Sequence, residues 1–197
     1  MVNLNQNDNS NFNENFFQFT ANFNHYQKKF YKNSARNNNF RFIDSDNNQV
    51  LRTYHQNICG LGPKTNDLGV SLYPDLPHIL CLTVHHLRQF QIQHITMDNY
   101  NLGAEFSRHS FHKGRRGWGV YVFIQKHFPF SVINIEKFFK DKDLETCALK
   151  LDFLSIKICI IVVYRSPNGN FQYFIKGIDN IIKKIYKPDV QLIIVVI

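Results

Sequence analysis

No two cysteines of this chain stand close enough to form a metal knuckle. Cys59, Cys81, Cys147 and Cys159 are scattered, with no CxxC pair and with apolar neighbours. They read as reduced core thiols of an intracellular protein, and a zinc site would need ligands from separate segments. An apolar segment behind the N-terminus is also missing. "MVNLNQNDNSNFNEN" offers no h-region and so no visible secretory signal. The longest apolar run, Ile158 to Tyr164, is too short to cross a bilayer. These absences lead to the expectation of a soluble chain in the cytoplasm or nucleus, without a membrane partner or a small-molecule cofactor.

What is present is a hydrophobic content of 44% with 15% aromatics, enough for a globular core within 197 residues. The formal charge of +8 fits a polyanionic partner. Composition shifts near residue 49. Fifteen of the first 48 residues are Asn, with Phe scattered among them and no helical or strand period. Such a segment buries too little apolar surface to offset its ordering entropy, so residues 1–48 are expected to be a disordered leader. The leader carries net +1, five Lys/Arg against four Asp/Glu, and the remaining +7 belongs to residues 49–197.

From Gln49 onward the pattern is rich in strands. "VLRTYHQNIC" reads as a first strand ending at Gly60, "GPKTNDL" as a weak helix start, and "HILCLT" as a second strand. "WGVYVFIQ", "SVINIEKF", "LETCALKLDF" and "SIKICIIVVY" follow, β-branched and separated by polar breaks. In the third of these, Cys147, Leu149, Leu151 and Phe153 fall on one face, and Thr146, Ala148, Lys150 and Asp152 on the other. After the turn cluster "RSPNGN", Phe171, Phe174, Ile175, Ile178, Ile181, Ile182 and Ile185 recur at the helical period up to Pro188. "VQLIIVVI" closes the chain as a buried strand, apolar and uncharged. A terminus inside a core element is expected of a fragment, and so apolar a strand is an aggregation hazard if left uncovered. Several strands, then a helix and a strand, imply an α/β sandwich of the α+β type and not a regular βαβ repeat.

"YHQNICGL", "LPHILCLTVHHL", "GWGVYVFI", "LETCALKL" and "VVYRSPNGNF" occur in the order and rough spacing of one family. The chain resembles the endonuclease/exonuclease/phosphatase domain, in the branch found at the front of insect non-LTR retrotransposon polyproteins. The resemblance spans roughly residues 50–197 and rests on five separated segments. It implies an incomplete DNase I-like, two-sheet β-sandwich flanked by helices, a truncated domain over residues 49–197. It also implies magnesium-dependent phosphodiester hydrolysis, with DNA nicked at one end of the sandwich.

Carried over residue by residue, the resemblance implies that Asn57 helps position metal and phosphate. Tyr164 would contact the scissile phosphate, and Arg165 would lie beside it, a planar fork of donors suited to phosphate. The family's second strand ends Leu-Thr-Glu-His, its Glu being the principal metal ligand. Here the same place reads Leu82-Thr83-Val84-His85. An isopropyl group offers magnesium no oxygen, and His85 and His86 suit zinc or copper better. The family's Gly-Asp-x-Asn would fall at Val195-Val196, and its later Ser-Asp-His has no counterpart. Metal and general base are together expected to be lost, so Mg2+ is expected not to be retained.

In "HKGRRGWG", Lys113, Arg115 and Arg116 read either as a DNA-facing loop or as a solvated hairpin turn, with Trp118 where the family commonly shows a small Gly. His109 and His112 have the spacing of a helical metal pair but lack a helix and a third ligand. The sequence therefore leads to a degenerate, catalytically impaired relative of a retrotransposon endonuclease. The alternatives are a non-catalytic basic remnant that binds DNA weakly and salt-sensitively, and a relic without function.

Overall fold

Ten strands arise where apolar residues recur at every second position or in short runs, and two helices where the repeat lengthens, among the residues described. The computed structural model describes residues 31–32, 39–44, 49–74, 76–84, 86–87, 91, 94–107, 119–153 and 155–196. In chain order the elements are β1 (Tyr31–Lys32), β2 (Asn39–Asp44), β3 (Gln49–Asn57), α1 (Thr65–Leu72), β4 (Ile79–Thr83), β5 (Tyr100–Ser107) and β6 (Gly119–Gln125). They continue with β7 (Phe130–Ile133), β8 (Glu145–Phe153), β9 (Ile156–Tyr164), α2 (Phe171–Ile185) and β10 (Val190–Val196).

The strands form a sheet of order β1-β2-β3-β4-β6-β5 and a second of order β10-β9-β8-β7. Each contains one parallel pair bridged by a helix: β3 and β4 through α1, and β9 and β10 through α2. The remaining pairs are antiparallel. Three apolar clusters show the layering. Between the sheets lie Cys81, Val122, Leu149, Ile160 and Val162. Leu68 and Leu72 of α1 pack on the outer face of the first sheet with Leu80, Leu82 and Phe123. Phe174, Ile181 and Ile185 of α2 pack on the outer face of the second with Ala148, Ile161 and Val163. The alternation of β8 accounts for its two faces, one toward the other sheet and one toward α2.

Helix α2 begins where the sequence places a cap. The Asn170 side chain accepts from the Tyr173 backbone N–H at 2.9 Å, satisfying a donor the first turn leaves open. Its own N–H donates to Asp143 at 2.7 Å, which with the Lys140 ammonium holds the Asp143 carboxyl below its usual pKa. Gly177 faces Leu144 so closely that an added Cβ would collide with its Cδ2. Of the expected apolar face, Phe171 and Ile175 are exposed instead, at 56% and 40%. They flank the buried stripe of Phe174, Gly177, Ile181 and Ile185.

Three features differ from the sequence reading. β1 and β2 fall inside residues 1–48, where no strand is expected. β2 runs antiparallel to β3 from Asn39↔Tyr54 to Asp44↔Gln49, so long-range pairing supplies backbone partners that local composition does not reveal. Residues 1–30 lie outside the described residues. The second is Cys59, which is exposed, while Cys81, Cys147 and Cys159 are buried. Cys59 lies beyond the end of β3 with φ +45°, where the chain leaves the sheet and its apolar neighbours no longer share a face with it. The third is β5, which the sequence conceals because its register shifts between Leu102 and Ala104. At Gly103 there, a Cβ would meet Ile124 at 2.8 Å.

Candidate active site at the carboxyl ends of the strands

The parallel pairs dictate where a site belongs, since loops converge at the carboxyl ends of parallel strands. Both pairs open toward the same end of the sandwich. The His78 ring, just before β4, lies 6.1 Å from Phe153, the last residue of β8 and the partner of Ile156 at the start of β9. That contact ties the amino end of β4 to the amino end of β9. Asn57, Thr83 and Val84 of the first sheet and Glu145 and Tyr164 of the second therefore share the opposite end.

Asn57 ends β3 in register with Thr83 and is exposed. Its Oδ1 accepts from the Cys59 thiol at 3.2 Å. Tyr164 ends β9 opposite Glu145 in β8. It is only 6% exposed and belongs to the inter-sheet core, so its ring is packed among apolar side chains. Arg165 turns into the loop that follows. Its Nη1 donates to the carbonyls of Ser166 at 3.3 Å, Pro167 at 3.4 Å and Gly169 at 2.8 Å, and its guanidinium lies 5.7 Å from the centre of the Phe171 ring. The fork of donors that would suit a phosphate is here directed at the backbone of the turn leading into α2.

Val84 follows the last residue of β4 with φ +56°, a conformation that branched side chains rarely adopt. Its N–H donates to Gly119 O at 3.0 Å and its carbonyl accepts from Gly60 N at 2.9 Å, while Ile58 N–H reaches Thr83 O at 3.0 Å. These bonds fasten the ends of β3, β4 and β6 together. The isopropyl group is 4% exposed and sits in the same core cluster as Tyr164 and Val195. Where the resemblance implies a carboxylate, the structure places a hydrophobic plug.

Two buried polar residues at this end escaped the sequence reading. Glu145, 0% exposed, occupies the inner register of β8 with Cys147 and Leu149. An acid at an inner position of an alternating strand was the signal that could have found it. His55 lies on β3, two residues inside Asn57, is 3% exposed, and has its pKa pushed down to about 4 by burial.

Magnesium, which the resemblance implies, requires several oxygen donors in near-octahedral array. Val84 supplies none, and Val195 is an apolar core residue. Among the described residues no group of three or more His, Cys, Asp or Glu could hold a metal ion. The isopropyl group at the implied ligand position does not fit a magnesium centre. His85, Lys113, Arg115, Arg116, Trp118, His109 and His112 lie outside the described residues. Among the described residues no helix is long and apolar enough to cross a membrane.

No protein-family model matches the sequence, and no curated protein does. Solved structures do resemble the fold. A humanized D. rerio TDP2 carrying 14 mutations aligns with TM-score 0.51 at 15% identity, over 73% of this chain and 64% of that one. D. rerio TDP2 complexed with a single-strand DNA product aligns with TM-score 0.50 at 15% identity, over 72% and 58%. The endonuclease domain of TRAS1, a telomere-specific non-LTR retrotransposon, aligns with TM-score 0.46 at 11% identity, over 71% and 56%. The chain thus spans less than two thirds of the length of each of these structures. Two mixed sheets packed face to face, with a helix on each outer face, have the architecture of the DNase I-like endonuclease/exonuclease/phosphatase fold.

Proposed function

We propose that this chain is a DNase I-like domain of retrotransposon-endonuclease descent in which phosphodiester hydrolysis is impaired. The descent is supported by the five ordered segments from "YHQNICGL" to "VVYRSPNGNF". The impairment is carried by one observation: Val84, at the strand end where the family's metal-binding carboxylate would stand, is turned into the core. The buried ring of Tyr164 and the turn-bound guanidinium of Arg165 support the same reading. A metal acting as Lewis acid supplies several kcal/mol of transition-state stabilisation, and a general base ~10²–10⁴-fold in rate. A domain without the metal's carboxylate ligand loses the first of these contributions.

The test is nicking of supercoiled plasmid across a magnesium titration, with Asn57→Ala as the control for contaminating nuclease. The expected result is no nicking above that control. Nicking that chelator and Asn57→Ala both abolish would overturn the proposal. A Val84→Glu variant that gains chelator-sensitive nicking would identify position 84 as the principal lesion.

A further inference from the structure

On the outer face of the second sheet, away from the strand ends discussed above, lies a pocket of about 250 Å³. It opens where the amino ends of β9 and β10 meet the carboxyl end of α2. Its rim is formed by Lys150 of β8, Lys157 of β9, Lys184 of α2 and Lys187 in the following turn, with Asp189 as the one acid. Four lysines less one aspartate leave three net positive charges around a single concavity. Asp189 is engaged by Lys157 at 2.7 Å, and Lys184 donates to the Asn134 carbonyl. The side chains of Lys150 and Lys187 make no hydrogen bond or ion pair among the described residues.

The floor is apolar, with Ile133, Cys159 and Val190. Burial pushes the Cys159 thiol up, while the charges of Lys150 and Lys187 pull it down. Like charges gathered over an apolar surface repel one another, and an anion entering between them relieves that repulsion. Phosphate suits lysine, which meets it as a point charge. Tyr186, which lies in the chain between the lining residues Ile185 and Lys187, is 40% exposed, and an aromatic ring is a surface on which a base can stack.

We propose that this pocket binds the phosphate backbone of single-stranded nucleic acid, with Lys150 and Lys187 as phosphate contacts and Tyr186 as the stacking surface. The inference is independent of whether the other end of the sandwich hydrolyses anything.

The experiment is fluorescence anisotropy of the full chain with a labelled oligothymidylate across a salt titration. Lys150→Gln/Lys187→Gln is compared with Lys176→Gln/Lys183→Gln, which removes the same charge from exposed positions of α2. Loss of two phosphate contacts flattens the plot of log affinity against log salt by about 1.4, or roughly 25-fold in affinity at about 0.1 M salt if the affinities converge near 1 M. The control double variant should retain the wild-type slope. Tyr186→Leu should weaken binding by roughly fivefold or more at an unchanged slope. Equal losses in the two double variants, or no binding by the wild-type chain, would overturn the proposal. So would tighter binding of the matching duplex. Inorganic tripolyphosphate that binds as tightly as the oligonucleotide, with Tyr186→Leu silent, would mark a small-anion site and overturn it too. Nicking by the chain would refute impaired hydrolysis yet leave the difference in slope intact, so the two proposals fail separately.

Discussion

The two ends of the second sheet are built in opposite ways. At the carboxyl end of β9 the polar groups are withdrawn: Tyr164 and Glu145 are buried, Arg165 is spent on its own turn, and Val84 closes the core from the facing sheet. At the amino end of the same strand, Lys157 opens a pocket that three further lysines surround. Among the described residues, one sheet thus carries a sealed end, where the resemblance implies a centre, and a charged end on its outer face. The scaffold is held by three apolar layers, and Val84 and Tyr164 at the sealed end belong to the layer between the sheets. The charged end in turn costs the core little, since its lysines surround a pocket on the outer face of the sheet and are not part of the three apolar layers.

Four measurements test how firmly the sealed end is sealed and how rigidly the rest is held. The largest effect is expected from Val84→Glu, which drives a carboxylate into an apolar cluster. Stability should fall by about 4 kcal/mol at neutral pH, and by less where the acid is protonated. Urea unfolding at pH 7 and pH 5 measures this, and an unchanged midpoint at both would show that the end is open to water.

Next comes acid. His55 is held neutral by burial, and His78 by burial first and then by Arg52 and His127, each with its pKa lowered from 6.5 to about 4. The Nδ1 of His78 accepts from the Arg52 backbone N–H at 3.1 Å, a bond that protonation of Nδ1 would break. Between pH 6.5 and about 4 the unfolded chain takes up protons that the folded chain refuses. Their stabilisation is thus complete above that window and lost as pH falls through it, on the order of 3 kcal/mol for His55. Denaturation at a series of pH values should show this decline, and His55→Gln should remove close to half of it.

A smaller change is expected where α2 rests on the second sheet. Gly177→Ala inserts a methyl against Leu144 and should cost about 2 kcal/mol. A double-mutant cycle with Leu144→Val, read by thermal melts, should recover part of that loss. The smallest of the four is Asn170→Ala, which removes the cap of α2 and should cost about 1 kcal/mol by the same assay. It should leave oligonucleotide binding at the far end of the helix unaltered.

The sequence made the middle of the molecule legible and its margins less so. "ILCLT", the alternation of β8 and the period of α2 announce themselves because each buries a continuous face. β2 is hidden among asparagines because its order derives from pairing with β3, more than local composition can show. β5 is hidden because its register shift at Gly103 breaks the two-residue alternation. At the candidate site, the motifs single out Asn57, Val84 and Tyr164, and the structure brings them to one end of the sandwich. Their burial was not legible, because it depends on which sheet face each strand end presents. Glu145 was passed over as part of an apolar strand, and the lysine pocket because Lys150, Lys157, Lys184 and Lys187 are brought together only by the β9-α2-β10 crossover.

The close approach of Gly177 to Leu144 also reaches beyond a single molecule. It fixes the gap between helix and sheet through two positions on different elements, so neither is free to change alone. Where related chains are aligned, these two columns should covary: glycine in the helix with leucine before β8, and alanine only where the leucine has given way to something smaller.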